Sequence, residues 1–317
     1  MTVPYPASAS ERTHWILARR GSRNAVSAVR PHAFFSERER TKLGIEDVST
    51  VFLTNRECPW KCVMCDLWRN TTEYSLKADD IVEQIRFATE GLPHAPVLKL
   101  YNSGSFFDPA AIPRAAWKQI AELCQWRRHV VLECHPRLVG PQVLDFASLL
   151  PGTLEIALGL ETAHPEALKA LNKRITVADY QRAAEFLKTN GIGLRTFLLV
   201  HPPFIPAEEC SSWLRRSIEL AFDSGSDVAS LIPLRSGNGA VADLVAAGSA
   251  RLPSLADLED AQEHGLQMRR GLCLADTWDL QLFSKCPACL ENRSARIERM
   301  NLTQEIEDRF QCDLCDG

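Results

Sequence analysis

At 317 residues, with 45% hydrophobic and 24% charged side chains, the chain has the balance of a folded globular protein and length for one large or two ordinary domains. A formal charge of -4 gives no global attraction to nucleic acid or to an anionic membrane. No stretch approaches the roughly 18 apolar residues of a bilayer span, and residues 1–10 lack a secretory leader, so a reducing, cytoplasmic setting without membrane contact is expected.

In chain order, residues 1–48 read as an irregular or helical extension, with one helix over 11–20. From Ser49 onward, short apolar runs alternate with helix-period segments. Strands are predicted at 50–55, 97–102, 130–134, 154–160, 194–200 and 228–233. Helices are predicted between them at 77–90, 110–125, 141–149, 165–171, 177–190 and 207–224, with Thr176 as a cap and Gly191 as a stop. Six such units in series imply a parallel sheet whose chemistry collects at the strands' C-terminal ends. Beyond about residue 237 come helices at 241–247 and 254–270, a strand or extended segment at 272–282, and a four-cysteine tail. The expected organisation is an extension (1–48), a core (49–237) and a C-terminal region (238–317).

Seven of the eleven cysteines fall into two groups: Cys58, Cys62 and Cys65 after the first predicted strand, and Cys286, Cys289, Cys312 and Cys315 at the end. The odd total argues against a closed disulfide framework. Cys124, Cys134, Cys210 and Cys273 read as ordinary buried thiols. The loop from Glu57 to Asp66 spaces its thiols C-x3-C-x2-C. Three thiolates can hold an iron–sulfur cubane and leave one iron open to an exogenous ligand. A zinc knuckle needs four ligands, and this loop holds no histidine.

This triplet resembles the signature of the radical S-adenosylmethionine (SAM) superfamily. The resemblance implies an α/β fold, a partial (βα)6 TIM-like barrel covering roughly residues 49–235. It also implies a [4Fe-4S] cluster on Cys58, Cys62 and Cys65, SAM at the open iron, and an external flavodoxin- or ferredoxin-like one-electron donor. Reductive cleavage of SAM then gives a 5′-deoxyadenosyl radical that takes hydrogen from a substrate. The family usually has an aromatic residue before the third cysteine; Met64 stands there.

Further positions acquire roles through the same resemblance. Asn102, Ser103, Gly104 and Ser105 match the segment that contacts the SAM amino group, although the usual Glu is missing. Their composition is also that of an ordinary turn. Glu133 resembles a strand-end Glu lining the SAM site in the Elongator catalytic-subunit-like group. Glu161 falls on a residue that reaches the ribose, and Lys173 on one that pairs with the SAM carboxylate. On residues alone, Lys173 is equally a cation complementing a helix C-terminus. Thr196 matches a ribose-contacting segment, His201 could be a substrate-side acid or base, and the loop 235–239 could hold adenine or substrate.

The tail carries two C-x2-C knuckles, a four-thiolate site for Zn2+ or for an auxiliary Fe-S cluster. The run from Lys99 to Asp108, the Gly159–Thr162 segment and the tail resemble the radical SAM subunit of archaeosine synthesis, which implies a 7-deazaguanine-type base in tRNA as substrate. A small molecule of a biosynthetic pathway is the alternative substrate, and a non-catalytic metal-stabilised binding module the contrasting class. For RNA, phosphate contacts are expected at Arg19, Arg20, Arg23 and Arg30 and at a basic tail face of Lys285, Arg293, Arg296 and Arg299.

Overall fold

The computed structural model describes residues 4–312; Cys315 of the tail tetrad lies outside the described residues. One eight-stranded sheet runs in chain order. Its first two strands, β1 (Ala33–Thr41) and β2 (Gly44–Phe52), form an antiparallel hairpin. β3 (Val97–Tyr101), β4 (His129–Cys134), β5 (Thr153–Glu161), β6 (Gly193–Val200), β7 (Val228–Pro233) and β8 (Leu272–Ala275) then each lie parallel to the strand before. The six predicted strands are β2 to β7. The sheet also continues past both expected boundaries, into β1 on one side and β8 on the other.

Ten α-helices accompany the strands among the described residues. α1 (Ala9–Leu17) precedes the sheet; α2 (Ala78–Gly91), α3 (Trp117–Leu123), α4 (Pro141–Ala147), α5 (Pro165–Ala170), α6 (Val177–Thr189) and α7 (Ala207–Asp223) fill the crossovers. α8 (Ala240–Ala246), α9 (Leu255–Met268) and α10 (Pro287–Thr303) follow β7. α2 buries Ile81, Val82, Ile85 and Ala88, a helical spacing that turns one stripe onto Leu98 and Leu100 of β3 and their neighbours. Each of the isoleucines and the valine contributes about 1.5–3 kcal/mol by leaving water. α6 starts at a capping box between Thr176 and Asp179, as its sequence foretells.

β1 and β8 are the sheet's edges and do not pair with each other. Trp278, just past β8, nevertheless packs against Phe35 of β1 and Phe52 of β2, with ring centroids 4.9 and 5.4 Å away. α10 also packs on β1. The sheet therefore curls into a nearly closed barrel. Its lower lumen holds Val48, Val97, Val131 and Ala157. Beside them lies an ion network: Arg195 binds Glu39 (2.7 Å) and Glu155 (2.7 Å), while Lys99 binds Glu37 (3.0 Å) and Glu39.

A candidate cluster and cofactor site

The cysteine loop leaves the C-terminal end of β2, where its backbone is held from several sides. Val63 N–H donates to Leu171 O at 3.0 Å, and Asn172 Nδ2 donates to Lys61 O at 2.8 Å. Asn238 Nδ2 donates to Val63 O and, at 3.2 Å, to Cys65 O. Trp60 stacks on His135, with centroids 3.5 Å apart and planes 5° from parallel. His135 accepts from Arg137 N–H on Nδ1 (3.2 Å), so Nε2 carries the proton and donates to Lys173 O (3.0 Å). Burial, then the nearby Lys173 charge, pushes this imidazole down to about 3. Glu57 ties the loop to the N-terminal segment through Arg20 (2.7 Å) and Arg23, and pairs within the loop with Lys61 (2.6 Å). Burial opposes its charge, yet hydrogen bonds from these three cations hold Glu57 at about 2.

Cys58, Cys62 and Cys65 are half-buried; Cys62 feels the charge of both other sulfurs, and Cys65 that of Cys58. Burial pushes the Cys58 thiol up to about 11 and Cys65 to about 12, so a bound cation must supply the field that makes them thiolates. Gly104 lies directly on this loop: a Cβ there would stand 3.3 Å from Cys58 Cβ. The preceding Ser103 has φ 52°, a left-handed turn that swings the chain back after β3.

Beside the thiols, β4 and β5 bring carboxylates to the same end of the barrel. Glu133 accepts from the Asn102 N–H at 3.2 Å, and burial raises its pKa to about 7. Lys173 forms an ion pair with Glu161, both largely buried. Glu161, Asn172 and Arg174 all have positive φ (68°, 60° and 64°), which aims Lys173 inward between two reversed neighbours. Gly159 makes room: a Cβ there would fall well inside contact distance of Lys173 Nζ and only 3.3 Å from Glu161 Cδ. The Asn102 side-chain amide is buried with neither its oxygen nor its nitrogen hydrogen-bonded. Asn102, Gly104, Glu133, Glu161 and Lys173 thus converge beside the cysteine loop.

Above the ion network, the lumen is aromatic. Phe35, Phe52, Tyr101, Phe197 and Trp278 form a chain of ring contacts, Phe52–Tyr101 at 5.6 Å and Tyr101–Phe197 at 6.0 Å. All remain partly exposed, unlike the small aliphatics beneath them.

Other sequence expectations are corrected. Thr196 does not face the site: strand alternation turns Arg195 and Phe197 to the lumen and Thr196 outward, to Tyr180 (2.6 Å) and Ser226 (2.9 Å). The Ser105 hydroxyl is used inside the core, on Cys134 Sγ at 3.4 Å. His201 points to Asp257 (3.2 Å) and Arg251 (3.2 Å), against α9 rather than into the lumen. In the loop 235–239, Arg235 is bound to Asp276 (2.9 Å) and Trp278 O (2.6 Å). The N-terminal arginines are already engaged, Arg19 with Asp243 (2.7 Å), Arg20 and Arg23 with Glu57, and Arg30 over the Phe87 ring. Sequence reasoning passed over the loop's positioning residues His135, Asn172 and Asn238, although each adjoins or lies within a segment already singled out.

In the tail, Cys286, Cys289 and Cys312 place their sulfurs within 4.8 Å of one another. The Cys286–Cys312 separation is 3.7 Å. A tetrahedral ion with bonds of about 2.3 Å sets its thiolates about 3.8 Å apart. Cys58, Cys62 and Cys65 do not meet that tight criterion; a cubane, with a separate iron for each thiolate, needs no such closeness. Of the tail's predicted basic face, Arg293 and Arg296 are internal, while Lys285 and Arg299 stay exposed. Arg296 is 2% exposed and binds Glu259 (2.9 Å), Glu263 (2.6 Å) and the carbonyls of Glu307 and Asp308, folding the chain back so that Cys312 reaches Cys286. Arg293 pairs with Glu259 and Arg299 with Glu307, each at 2.7 Å.

The Radical SAM superfamily profile matches residues 52–210. An uncharacterized protein of Methanocaldococcus jannaschii is 25% identical over 283 residues, covering 81% of this chain and 76% of that protein. Archaeosine synthase subunit beta of Thermococcus kodakarensis is 29% identical over 153 residues, covering 45% of this chain and 47% of the relative, about half its length. Among solved structures, Elp3 of Methanocaldococcus infernus with an N-terminal deletion shares the fold, with a TM-score of 0.52 at 15% identity over 80% of this chain and 63% of that one. With residues 52–210 matched, half of its length, and the cysteine loop on the first parallel strand, the chain belongs to the Radical SAM superfamily.

Proposed function

We propose that this radical SAM enzyme modifies a 7-deazaguanine-type base in tRNA, with residues 49–237 as the radical SAM core and the segments 1–48 and 238–317 adding β1, β8 and two of the aromatic rings of the lumen. Membership implies a [4Fe-4S] cluster, SAM and an external one-electron donor. The residues fit those groups. Cys58, Cys62 and Cys65 hold the cluster, and no fourth cysteine lies in their loop. SAM carries a sulfonium, an ammonium and a carboxylate, a cation overall; Glu161 offsets the single Lys173, and Glu133, raised to about 7 by burial, ionises fully beside the incoming ammonium and gives the pocket the opposite sign. The orphaned Asn102 amide offers both a donor and an acceptor at the same place. When bound, the cluster and SAM supply hydrogen abstraction by a 5′-deoxyadenosyl radical. This chain's own residues hold charge and exclude water: Lys173 takes the carboxylate, Glu133 the ammonium, Glu161 the ribose hydroxyls.

The observation that carries the substrate class is the partly exposed aromatic layer of Phe35, Phe52, Tyr101, Phe197 and Trp278 in the lumen. Rings in that arrangement suit a planar heteroaromatic group by stacking. The archaeosine synthase relative supports a tRNA base. The tail site is assigned structural Zn2+, on the 3.7 Å sulfur separation, with Cys315 as its fourth thiolate by sequence spacing.

The test is anaerobic reconstitution with iron and sulfide, then dithionite and SAM. We expect 5′-deoxyadenosine, released faster when tRNA bearing a 7-deazaguanine base is added. Release indifferent to tRNA but stimulated by a free deazapurine would move the substrate to a small molecule. A fully loaded cluster that releases none would make the chain a metal-stabilised module.

A further inference from the structure

The arginines first expected to meet phosphate are committed to ion pairs or ring contacts, whereas a different set of cations, none in a close buried ion pair, lines a cavity. A cavity of about 510 Å³ opens on the outer side of the cysteine loop. Arg12, Arg137, Lys169 and Arg174 line it, together with Trp60 and Asn172. Trp60 lies between Cys58 and Cys62, and Asn172 is bonded to Lys61 O, so the cavity's wall is the back of that loop. Lys173, between Asn172 and Arg174, points the other way, into the cofactor pocket. Cavity and pocket are thus back to back across one short turn.

The four cations come from three separate parts of the chain. Arg12 bonds neutral carbonyls, Pro6 O (2.9 Å) and Lys169 O (2.8 Å), and Arg174 bonds Ala9 O (2.6 Å). Those acceptors orient the guanidiniums without cancelling their charge. The nearby acids do little more: Glu166 stands 3.9 Å from Lys169 with both side chains exposed, and Asp179, which feels the Arg137 charge, is hydrogen-bonded to Arg182 and Thr176 instead. Gathering like charges around one concavity is unfavourable until an anion enters it.

We infer that this cavity binds phosphate groups of a nucleic-acid backbone, holding RNA against the back of the cluster loop. The inference rests on the RNA reading above and deepens it. Three of the four cations are arginines, whose forks match phosphate oxygens in pairs. A concave space of this size suits a small anionic group better than the broad face of an acidic redox protein, which needs roughly 800 Å² per partner.

The experiment uses the full chain, a tRNA transcript and a short polyphosphate as probes, and the double variant Arg137→Gln/Lys169→Gln. Neither side chain makes a buried hydrogen bond in the fold, and unchanged thermal unfolding would confirm integrity. Expected is a loss of tRNA affinity on the order of tenfold or more at low salt, with the log–log salt slope reduced by about 1.4 to 1.8 for two lost contacts. Equal affinity and slope in the two proteins would overturn the cavity assignment and leave the RNA reading intact. Failure of both to bind tRNA, with polyphosphate binding lost only in the variant, would remove the RNA and keep the phosphate site. Unchanged tRNA binding, with cluster reduction by flavodoxin slowed and reduction by dithionite unaffected, would instead make the cavity the donor's docking site and overturn the inference.

Discussion

Gly159→Ala is the sharpest probe of the cofactor pocket, because the glycine is needed for space and not for backbone freedom. Its φ is not positive, so alanine meets no conformational penalty there. The methyl, however, would overlap Lys173 Nζ and the Glu161 carboxylate. Ordinary non-bonded separation is about 3.5 Å, so the ammonium must retreat by on the order of 1 Å or more. Such a shift removes the charge-assisted hydrogen bond that Lys173 is assigned to make with the SAM carboxylate. Bonds to charged groups are worth about 1.5–3 kcal/mol, which is roughly a 10- to 150-fold rise in the Kd for SAM. Equilibrium dialysis with SAM on anaerobically reconstituted protein reads this directly, with iron content as the control for the cluster. A variant that carries its full iron and binds SAM within twofold of the unchanged chain would refute the assignment of Lys173.

Other outcomes follow from the same contacts. Cys58→Ala should lose about four irons per chain while the tail metal stays, and Cys286→Ser should lose one metal ion and no sulfide, as metal and sulfide analysis would show. His135, held at about 3 when folded against about 6.5 when unfolded, takes up a proton first in the unfolded chain, so its contribution is present above pH about 6.5 and is lost as pH falls toward 3. The stability advantage over His135→Gln in thermal melts should therefore shrink between pH 7 and pH 5; a constant difference would show that the imidazole is not held neutral. Glu259→Gln leaves the buried Arg296 with one carboxylate fewer and should cost about 3 kcal/mol in denaturant unfolding, with earlier metal loss from the tail.

The parallel core was legible because each of β2 to β7 is a short apolar run bounded by turn residues. β1 was not, for a physical reason. From Phe35 to Arg40 its residues alternate Glu37 and Glu39 toward the lumen with Arg38 and Arg40 on the opposite face, so no apolar alternation marks it as a strand. The cysteine triplet and the tail knuckles were visible because metal spacing is local. Burial was not: Arg20, Arg23, Arg293 and Arg296 look like surface charge in sequence and become ion-paired supports only once Glu57, Glu259 and Glu263 arrive from elsewhere. Thr196 and Ser105 illustrate the remaining error, since a residue in the right segment can point away from the site.

The lumen explains why β1, which precedes residues 49–237, is part of the barrel. Lys99 and Arg195 are 4% and 5% exposed, and two buried cations there need counter-charges. β5 supplies Glu155; β1 supplies Glu39, with Glu37 at the rim. Burial opposes ionisation of Glu39, yet Arg195 and Lys99 hold it at about 2. Without β1, Glu155 alone would face both cations, and uncompensated buried charge costs several kcal/mol. The same strand, two residues before Glu37, places Phe35 in the aromatic layer against Trp278. One period-two strand therefore neutralises the barrel's floor and furnishes part of the surface a substrate would meet. An antiparallel hairpin does this where a further parallel strand could not, because its reversed direction brings residues 33–35 to the mouth beside Phe52 and residues 39–41 to the closed end beside Gly44.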